Sequence, residues 1–581
     1  MIVKTEPYIV LITIFILIFL LAKSSIRSLY LFGGTLVFFY FLGLINTEDL
    51  LDNFVNEGLV TLVLLLLIST VLENTIFIRQ NSHAFFSKNR YIYSLFKVIS
   101  ITSFFSAFLN NTAVVAIMMS VIKRQKSGIA SKYLLPLSYA AILGGTVTLI
   151  GTSTNLIVNS FVIDEGMPSL GMFDFAPIGL VLVLAGFLYM LLFSDKLLPA
   201  INVDDNVDKR SYFIEAKVRT GSSLVGKNVK ENGFRNMREL FLAEIIRDDR
   251  LISPVTPAEV IESDDVLVFT GNVHDIGELQ NFHGLSIFEE KSRVLNSNLV
   301  EVIVSHQSTL VGRKIKEAGF RSKFNASVVA VRRGSEPLKG KIGLIRIQAG
   351  DQLVLSVGED FKKRGNIGNN FYLISNIDKN CFLSLRDSIT AIVIFTGAIL
   401  LSALGIISLF KSMLIVLICY IVLKWTRLRQ LKLYLPFELI IIIGSALGIA
   451  EVMTSSGAAM ILVDGITYLF QGMGTYGYLA AVFLLTLILT EVITNNAAAA
   501  LMFPIGYATA QSHGVDVMPF IMAVAYGASA SFITPYSYQT NLMVYSAGRY
   551  RFSDYVKYGI PMSILYSIIV IGMLPIVFPF N

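Results

Sequence analysis

The 581-residue chain is 54% hydrophobic and 15% charged, with a mean hydropathy of +0.67, which excludes a soluble globular protein, where charged residues run to about a quarter. A net charge of +6 and a pI near 9.0 fit Lys and Arg gathered on the cytoplasmic loops of a membrane protein and call for no nucleic-acid partner. Two cysteines, Cys381 and Cys419, exclude a disulfide framework, and the dispersed His83, His274, His283, His306 and His513 lack the local clustering of a zinc site.

In chain order, the first apolar run, Ile9 to Leu21, is followed directly by Lys23-Ser24-Ser25-Ile26-Arg27 without a small-residue cleavage site, which predicts an uncleaved first helix. Leu59 to Leu72 predicts a further span. Ser106 to Met119 then reads SAFLNNTAVVAIMM, with two asparagines and a threonine set into an apolar run. Lys123-Arg124-Gln125-Lys126 marks a cytoplasmic loop. Gly144 to Val158, GGTVTLIGTSTNLIV, carries a second polar interruption, and Ile178 to Phe193 predicts another span.

From about 203 to 380 apolar spans are absent, and the segment matches itself. SLVGKNVKENGFRNM (223 to 237) aligns without gaps on TLVGRKIKEAGFRSK (309 to 323), at an offset of 86 residues. Alternation in IEAKV and VEVIV and the β-rich ASVVAVRR and DQLVLSV predict strands, while VKENGF and IKEAGF predict a short helix ending at Gly. Two small α+β domains follow. Gly221 to Asn228 nearly spells G-x-x-x-x-G-K-[ST], but Asn228 replaces the magnesium-binding hydroxyl and Gln307 replaces the first glycine in the second copy. Gly226 and Gly312 are therefore read as turn glycines.

Beyond the insert, Ile389 to Leu409 and Ile560 to Phe578 predict spans, and Lys424 to Lys432 forms a second basic cluster. LNNTAVVAIMM (109 to 119) is matched by ITNNAAAALMF (493 to 503), and GGTVTLIGTSTNLIV by GASASFITPYSYQTNLMV (527 to 544), in the same order and at nearly the same separation. Two polar motifs kept in order are hard to obtain by chance. Repeats that hold broken helices are the usual plan of secondary transporters, with substrate and ions bound where the halves meet.

Ser106, Asn110, Asn111 and Thr112, with nearby carbonyls, offer hard oxygens for a small cation, and amides, hydroxyls and N–H groups at a helix start suit an anion. Thr490, Thr494, Asn495 and Asn496 repeat the set. Gly151 to Asn155 and Thr534 to Asn541 read as unwound helix centres. Ser, Thr and Asn also glue packed helices together, a reading that four paired motifs make less economical. Glu73, Glu451 and Glu491 lie in apolar surroundings; the first two are expected at wet helix ends, and Glu491 directly precedes VITNN. With no Lys or Arg beside the motifs, an anion would be held by neutral dipoles and co-bound cations.

On these motifs, above all TPYSYQTNLMVY, the chain resembles the divalent anion:sodium symporter family of the ion transporter superfamily, in particular members with two inserted RCK C-terminal (TrkA-C) type domains. The resemblance covers nearly the whole chain. It implies sodium sites around Ser106, Asn110, Asn111 and Gly145, and around Thr490, Thr494, Asn495 and Gly527. It implies substrate contacts from Asn111, Thr112, Asn495 and Asn496, with the companion loops supplying Thr152, Asn155, Thr534 and Asn541. It also implies a homodimer and an elevator-like motion. Asn110 stands where the family's signature has Ser, and Asn496 where it has Thr, so dicarboxylate specificity does not carry over, and sulfate is favoured.

The expected fold is a polytopic α-helical membrane protein with two pseudo-repeated halves (1–202 and 381–581) containing re-entrant hairpins and broken helices, plus two small cytoplasmic α+β domains (203–290 and 291–380). The expected function is sodium-coupled transport of a small divalent anion across the cell inner membrane, in contact with lipid, with no organic cofactor beyond a candidate regulatory nucleotide on the insert. The alternatives are a cation/proton antiporter using Glu491 or Glu451, and a dicarboxylate carrier. A potassium channel is disfavoured because Gly474 to Tyr478 has the wrong order for a TVGYG filter, and an enzyme because no nucleophile, base and orienter converge.

Overall fold

The computed structural model describes residues 5–24, 26–73, 91–123, 130–201, 213–234, 237, 240–248, 250–252, 254–270, 279, 282, 284–287, 299–305, 308–334, 336–338, 342–358, 361, 364, 366–373, 383–426, 431, 435–470 and 472–580. Four of the histidines (His83, His274, His283 and His306), Gln307, Cys381 and most of both basic clusters lie outside them.

The first helical block runs α1 (Glu6–Lys23), α2 (Ser28–Phe41), α3 (Thr47–Asp52), α4 (Glu57–Glu73), α5 (Tyr91–Ser106), α6 (Asn111–Lys123), α7 (Ser131–Gly145), α8 (Ser153–Asp164) and α9 (Ala176–Leu197). Seven described helical stretches are long and apolar enough to cross a membrane, Thr47–Leu72 and Ala176–Leu197 among them. The chain is a multi-pass membrane protein.

Two five-stranded sheets follow. The first holds β1 (Phe213–Val218), β2 (Phe241–Arg247), β3 (Arg250–Ile252), β4 (Val266–Thr270) and β5 (Leu285–Ile287), in the order β3-β2-β4-β1-β5. The second holds β6 (Leu299–Val304), β7 (Ala326–Arg333), β8 (Glu336–Pro337), β9 (Gln352–Val357) and β10 (Phe371–Leu373), with short helices α10 (Phe320–Phe324) and α11 (Ile367–Asn370). Its order, β8-β7-β9-β6-β10, is that of the first sheet strand for strand. Each sheet has a register shift at the same place, Leu242/Glu244 and Val328/Ala330, and a paired Arg–Asp fork, Arg247 on Asp265 and Arg333 on Asp351.

Gly226 and Gly312 adopt φ of +80° and +81°, as turn glycines do. The short helix expected after them differs between the sheets: IKEAGF gives a single 3-10 turn, Ile315–Glu317, whereas VKENGF gives only a hydrogen-bonded turn. Asn228 and Glu231 cap each other there, and both segments end at a glycine with positive φ, Gly233 at +77° and Gly319 at +69°.

The second helical block contains α12 (Leu385–Ala403), α13 (Leu409–Val422), α14 (Phe437–Ser455), α15 (Ala458–Leu469), α16 (Gly474–Val492), α17 (Asn495–Ser512), α18 (Met518–Ser529), α19 (Gln539–Ala547) and α20 (Phe552–Val577). The apolar run Ile389 to Leu409 is split between α12 and α13, because Gly405 turns the chain at φ +72° and Ser408 caps the next helix. Buried tyrosines join the blocks: Tyr139 donates to Phe532 O, Tyr189 to Tyr558 O and Tyr526 to Phe175 O. Each phenol leaves its ring in the core and pairs its one polar atom with a backbone carbonyl.

The second sheet also meets the helices. Ile303 is fully buried among the helical core residues, and Tyr372 packs against them. Ser546 of α19 donates to Gly350 O. A Cβ on Gly350 would lie 2.5 Å from Leu542 Cδ1, and one on Gly334 would lie 2.8 Å from Tyr545 Oη. At the corresponding turns of the first sheet stand Asp264 and Asp248, also at positive φ.

Candidate functional site

Each helical block contains two helices meeting at a polar tip, followed by a helix broken in its middle. In the first, α5 and α6 meet at Ala107–Asn110, and α7 breaks from α8 over 146–152. In the second, α16 and α17 meet at Ile493–Thr494, and α18 breaks from α19 over 530–538. Apolar flanks carry the helices inward. Short polar side chains then stand in for the backbone partners that each helix end lacks.

The tips and broken helices pair crosswise between the blocks. Asn111 Nδ2 donates to Tyr538 Oη (2.8 Å), and Thr112 Oγ1 donates to Gln539 Oε1 (3.0 Å). In the other direction, Ser153 Oγ donates to Asn496 Oδ1 (2.9 Å), while Thr154 and Ser529, one in each broken helix, share a hydroxyl hydrogen bond (2.8 Å). The first tip is thus tied to the second broken helix, and the second tip to the first.

In both breaks a buried asparagine side chain donates to a loop carbonyl. Asn155 Nδ2 donates to Thr148 O (3.0 Å), Thr152 and Thr154 share a hydroxyl contact (3.1 Å), and the Thr148 hydroxyl donates to Ala107 O. In the second block, Asn541 Nδ2 donates to Ser531 O (2.8 Å), its Oδ1 accepts from Ser138 (2.7 Å), and Thr534 Oγ1 donates to Glu491 O (3.1 Å). Asn155 and Asn541 are buried and committed to holding these loops.

The positions expected to hold sodium differ between the blocks. Ser106 Oγ and Asn111 Oδ1 are buried and have no hydrogen-bond partner among the described residues. Gly145 ends α7 beside Asn111: a Cβ there would sit 2.7 Å from Asn111 Nδ2 and 3.1 Å from Gly151 O, so a larger residue would displace the amide. Each of the two atoms, Ser106 Oγ and Asn111 Oδ1, is a hard oxygen with no partner in place, of the kind that ligates a hard cation. Asn110 is solvent-exposed, and its Oδ1 accepts from Thr112 N (2.9 Å). In the second block, Thr490 Oγ1 contacts both Asn495 Oδ1 (3.0 Å) and Ala528 O (2.8 Å). Thr494 caps α17 through Ala497 N, and Gly527 packs on Thr486.

Glu491 is half-buried, and both carboxylate oxygens are engaged: Oε1 accepts from Phe532 N (2.8 Å) and Ile533 N (2.7 Å), and Oε2 from Thr534 N (2.8 Å). Glu451 lies inside α14, not at its end, and accepts from Asn53 Nδ2 (3.1 Å). Sequence reasoning did not single out Ser138, Thr148, Ser153, Tyr538 or Gln539. Tyr538 and Gln539 lie within TPYSYQTN, so the signal for them was the motif itself; Ser138 sits in an unremarked apolar helix.

The family described as citrate transporter matches residues 10–525. A Chlamydomonas reinhardtii protein that carries the name of a sulfur deprivation response regulator is 30% identical, over 91% of this chain and 94% of the relative. An uncharacterized transporter of Synechocystis sp. is 29% identical, over 91% of this chain and 90% of its own. Sodium/sulfate cotransporter 1 of Chlamydomonas reinhardtii is 27% identical over 62% of this chain, which spans 42% of that protein.

Proposed function

Because the chain belongs to the citrate transporter family, we propose that it is a secondary active transporter that carries a small divalent anion, sulfate, together with sodium. It is a transporter and not an enzyme. The observation that carries the reading is the crossed pairing of Asn111 and Thr112 with Tyr538 and Gln539, and of Asn496 with Ser153, which gathers both polar tips and both helix breaks around one region. Anion binding there relies on amides and hydroxyls. Sodium at Ser106 Oγ and Asn111 Oδ1 would supply the positive charge that a buried anion requires.

In this reading the substrate contacts are Asn111, Thr112, Asn495 and Asn496, with Thr152 and Thr534 at the breaks. Asn155 and Asn541 act by holding the loops. The tips are re-entrant hairpins of two repeated halves, 1–202 and 381–581. The sheets at 203–290 and 291–380 are RCK C-terminal-type cytoplasmic domains, with a nucleotide as candidate regulatory ligand. The protein works as a homodimer in the inner membrane with an elevator-like motion. Relatives named sodium/sulfate cotransporters support the choice of sulfate and sodium.

Purified protein in liposomes tests this directly. Radiolabelled sulfate uptake should require an inward sodium gradient and fall to background when choline replaces sodium; uptake unchanged by that exchange would defeat sodium symport. Competition by thiosulfate, molybdate, phosphate, succinate and citrate orders the anions. The proton-antiport alternative is weakened by the engagement of both Glu491 oxygens with backbone N–H groups.

A further inference from the structure

We propose that Glu491 is a positioning residue: its carboxylate fixes the backbone of Phe532–Thr534 and thereby sets the second helix break in the shape that binds the anion. The inference rests on the anion-transport reading above and adds to it a residue that need not touch substrate or sodium.

Three consecutive N–H groups converging on one point form an anion nest, the arrangement by which backbone loops hold phosphate and other free anions. Here the nest of Phe532, Ile533 and Thr534 is filled by a side chain of the same protein. Thr534 Oγ1 closes the unit from the other side onto Glu491 O (3.1 Å) and also reaches Ser537 Oγ (3.0 Å). One residue at the end of α16 thus makes four hydrogen bonds to three successive loop residues. That ties Thr534 to the residue that stands three positions before Thr494 at the tip.

The first block has no such device. Ala107 occupies the place of Glu491, and the loop at 146–152 is held by neutral bonds, the Thr148 hydroxyl to Ala107 O and Gly151 N to Thr148 Oγ1 (3.1 Å). A carboxylate is needed in the second block because a neutral amide cannot accept three N–H groups: Gln would turn an NH2 toward Thr534 N–H and leave two donors facing each other. The loop would then leave its present shape.

The test uses the full chain with both cysteines replaced by serine and Tyr536→Cys as a reporter, since Tyr536 is in the loop and 63% exposed. Glu491→Gln should raise the KM for sulfate by about tenfold or more, the worth of one charge-assisted hydrogen bond, with a smaller change in maximal rate. It should also speed maleimide labelling at position 536. Glu491→Asp, which keeps the charge, should recover part of both effects. A labelling rate unchanged in Glu491→Gln overturns the proposal whatever uptake does. If Glu491→Gln fails to elute as a single species, Glu491→Asp carries the test, and labelling and KM equal to wild type in that variant count against the proposal. Faster labelling in a chain that carries no sulfate would uphold the anchor while defeating the sulfate reading.

Discussion

In the first helical block the oxygens beside the tip are left open, whereas in the second they are closed on one another. Ser106 Oγ and Asn111 Oδ1 have no donor, while their counterparts Thr490 and Asn495 bond each other and Ala528 O. The breaks differ in the same sense, since Thr148 and neutral carbonyls hold the first, and Glu491 clamps the second. Similar sequence motifs therefore carry different costs. An oxygen at the first tip could turn to a cation without giving up a bond, whereas Thr490 and Asn495 at the second would have to break hydrogen bonds already made.

The largest expected effect would erase the comparison at both tips. Asn111→Ala and Asn495→Ala should each abolish radiolabelled sulfate uptake while leaving the protein folded by gel filtration; near-normal uptake in either removes that residue from the site. Next in size is a divergence in stability. Thr490→Ala removes the single hydroxyl proton within reach of both Asn495 Oδ1 and Ala528 O in a buried place and should cost about 1–3 kcal/mol, read as a lower melting temperature in detergent. Ser106→Ala removes a hydroxyl that bonds nothing, so its melting temperature should hold while half-maximal uptake shifts to higher sodium. If the two variants melt alike, the contrast between open and closed tips fails.

A smaller effect concerns α19 alone, because the second sheet packs on it. Gly350→Asp copies the residue at the same turn of the first sheet, so the sheet should still fold, but the new Cβ meets Leu542. Overpacking of about 1–3 kcal/mol should loosen the contact and expose the Gly350–Ser546 region to protease. Asp264→Gly, the reverse exchange in the first sheet, should leave cleavage and uptake unchanged. Equal protease patterns in the two variants would show that the glycines are not what seats the second sheet.

The tips and breaks were legible because Asn, Thr and Gly interrupt apolar runs, where each needs a reason. The matched strand order of the sheets was foreshadowed by the gapless alignment of SLVGKNVKENGF on TLVGRKIKEAGF. The crossing of partners was not legible. Nothing local joins Asn111 to Tyr538 or Asn496 to Ser153, since those pairs arise only when the two blocks pack. Glu491 stood out as an ionisable group among apolar residues, but its partners are backbone N–H groups, which no side-chain pattern reveals. The split of Ile389 to Leu409 traces to a single glycine, Gly405, at positive φ; nothing in the structure explains why VKENGF forms no helix where IKEAGF forms a 3-10 turn.

The seating of the second sheet on α19 has a thermodynamic consequence. Gly350 and Gly334 lie against Leu542 and Tyr545 on surface that water regains if α19 moves away from the sheet, so the energy of that contact is part of any equilibrium between positions of α19. Linkage then runs both ways. A molecule that binds the seated sheet more tightly than the free one favours the seated position by its affinity ratio, and an anion that favours another position of α19 weakens that molecule's binding by the same factor. Two small side-chain absences at a pair of turns are thus what lets the second sheet lie this close to α19.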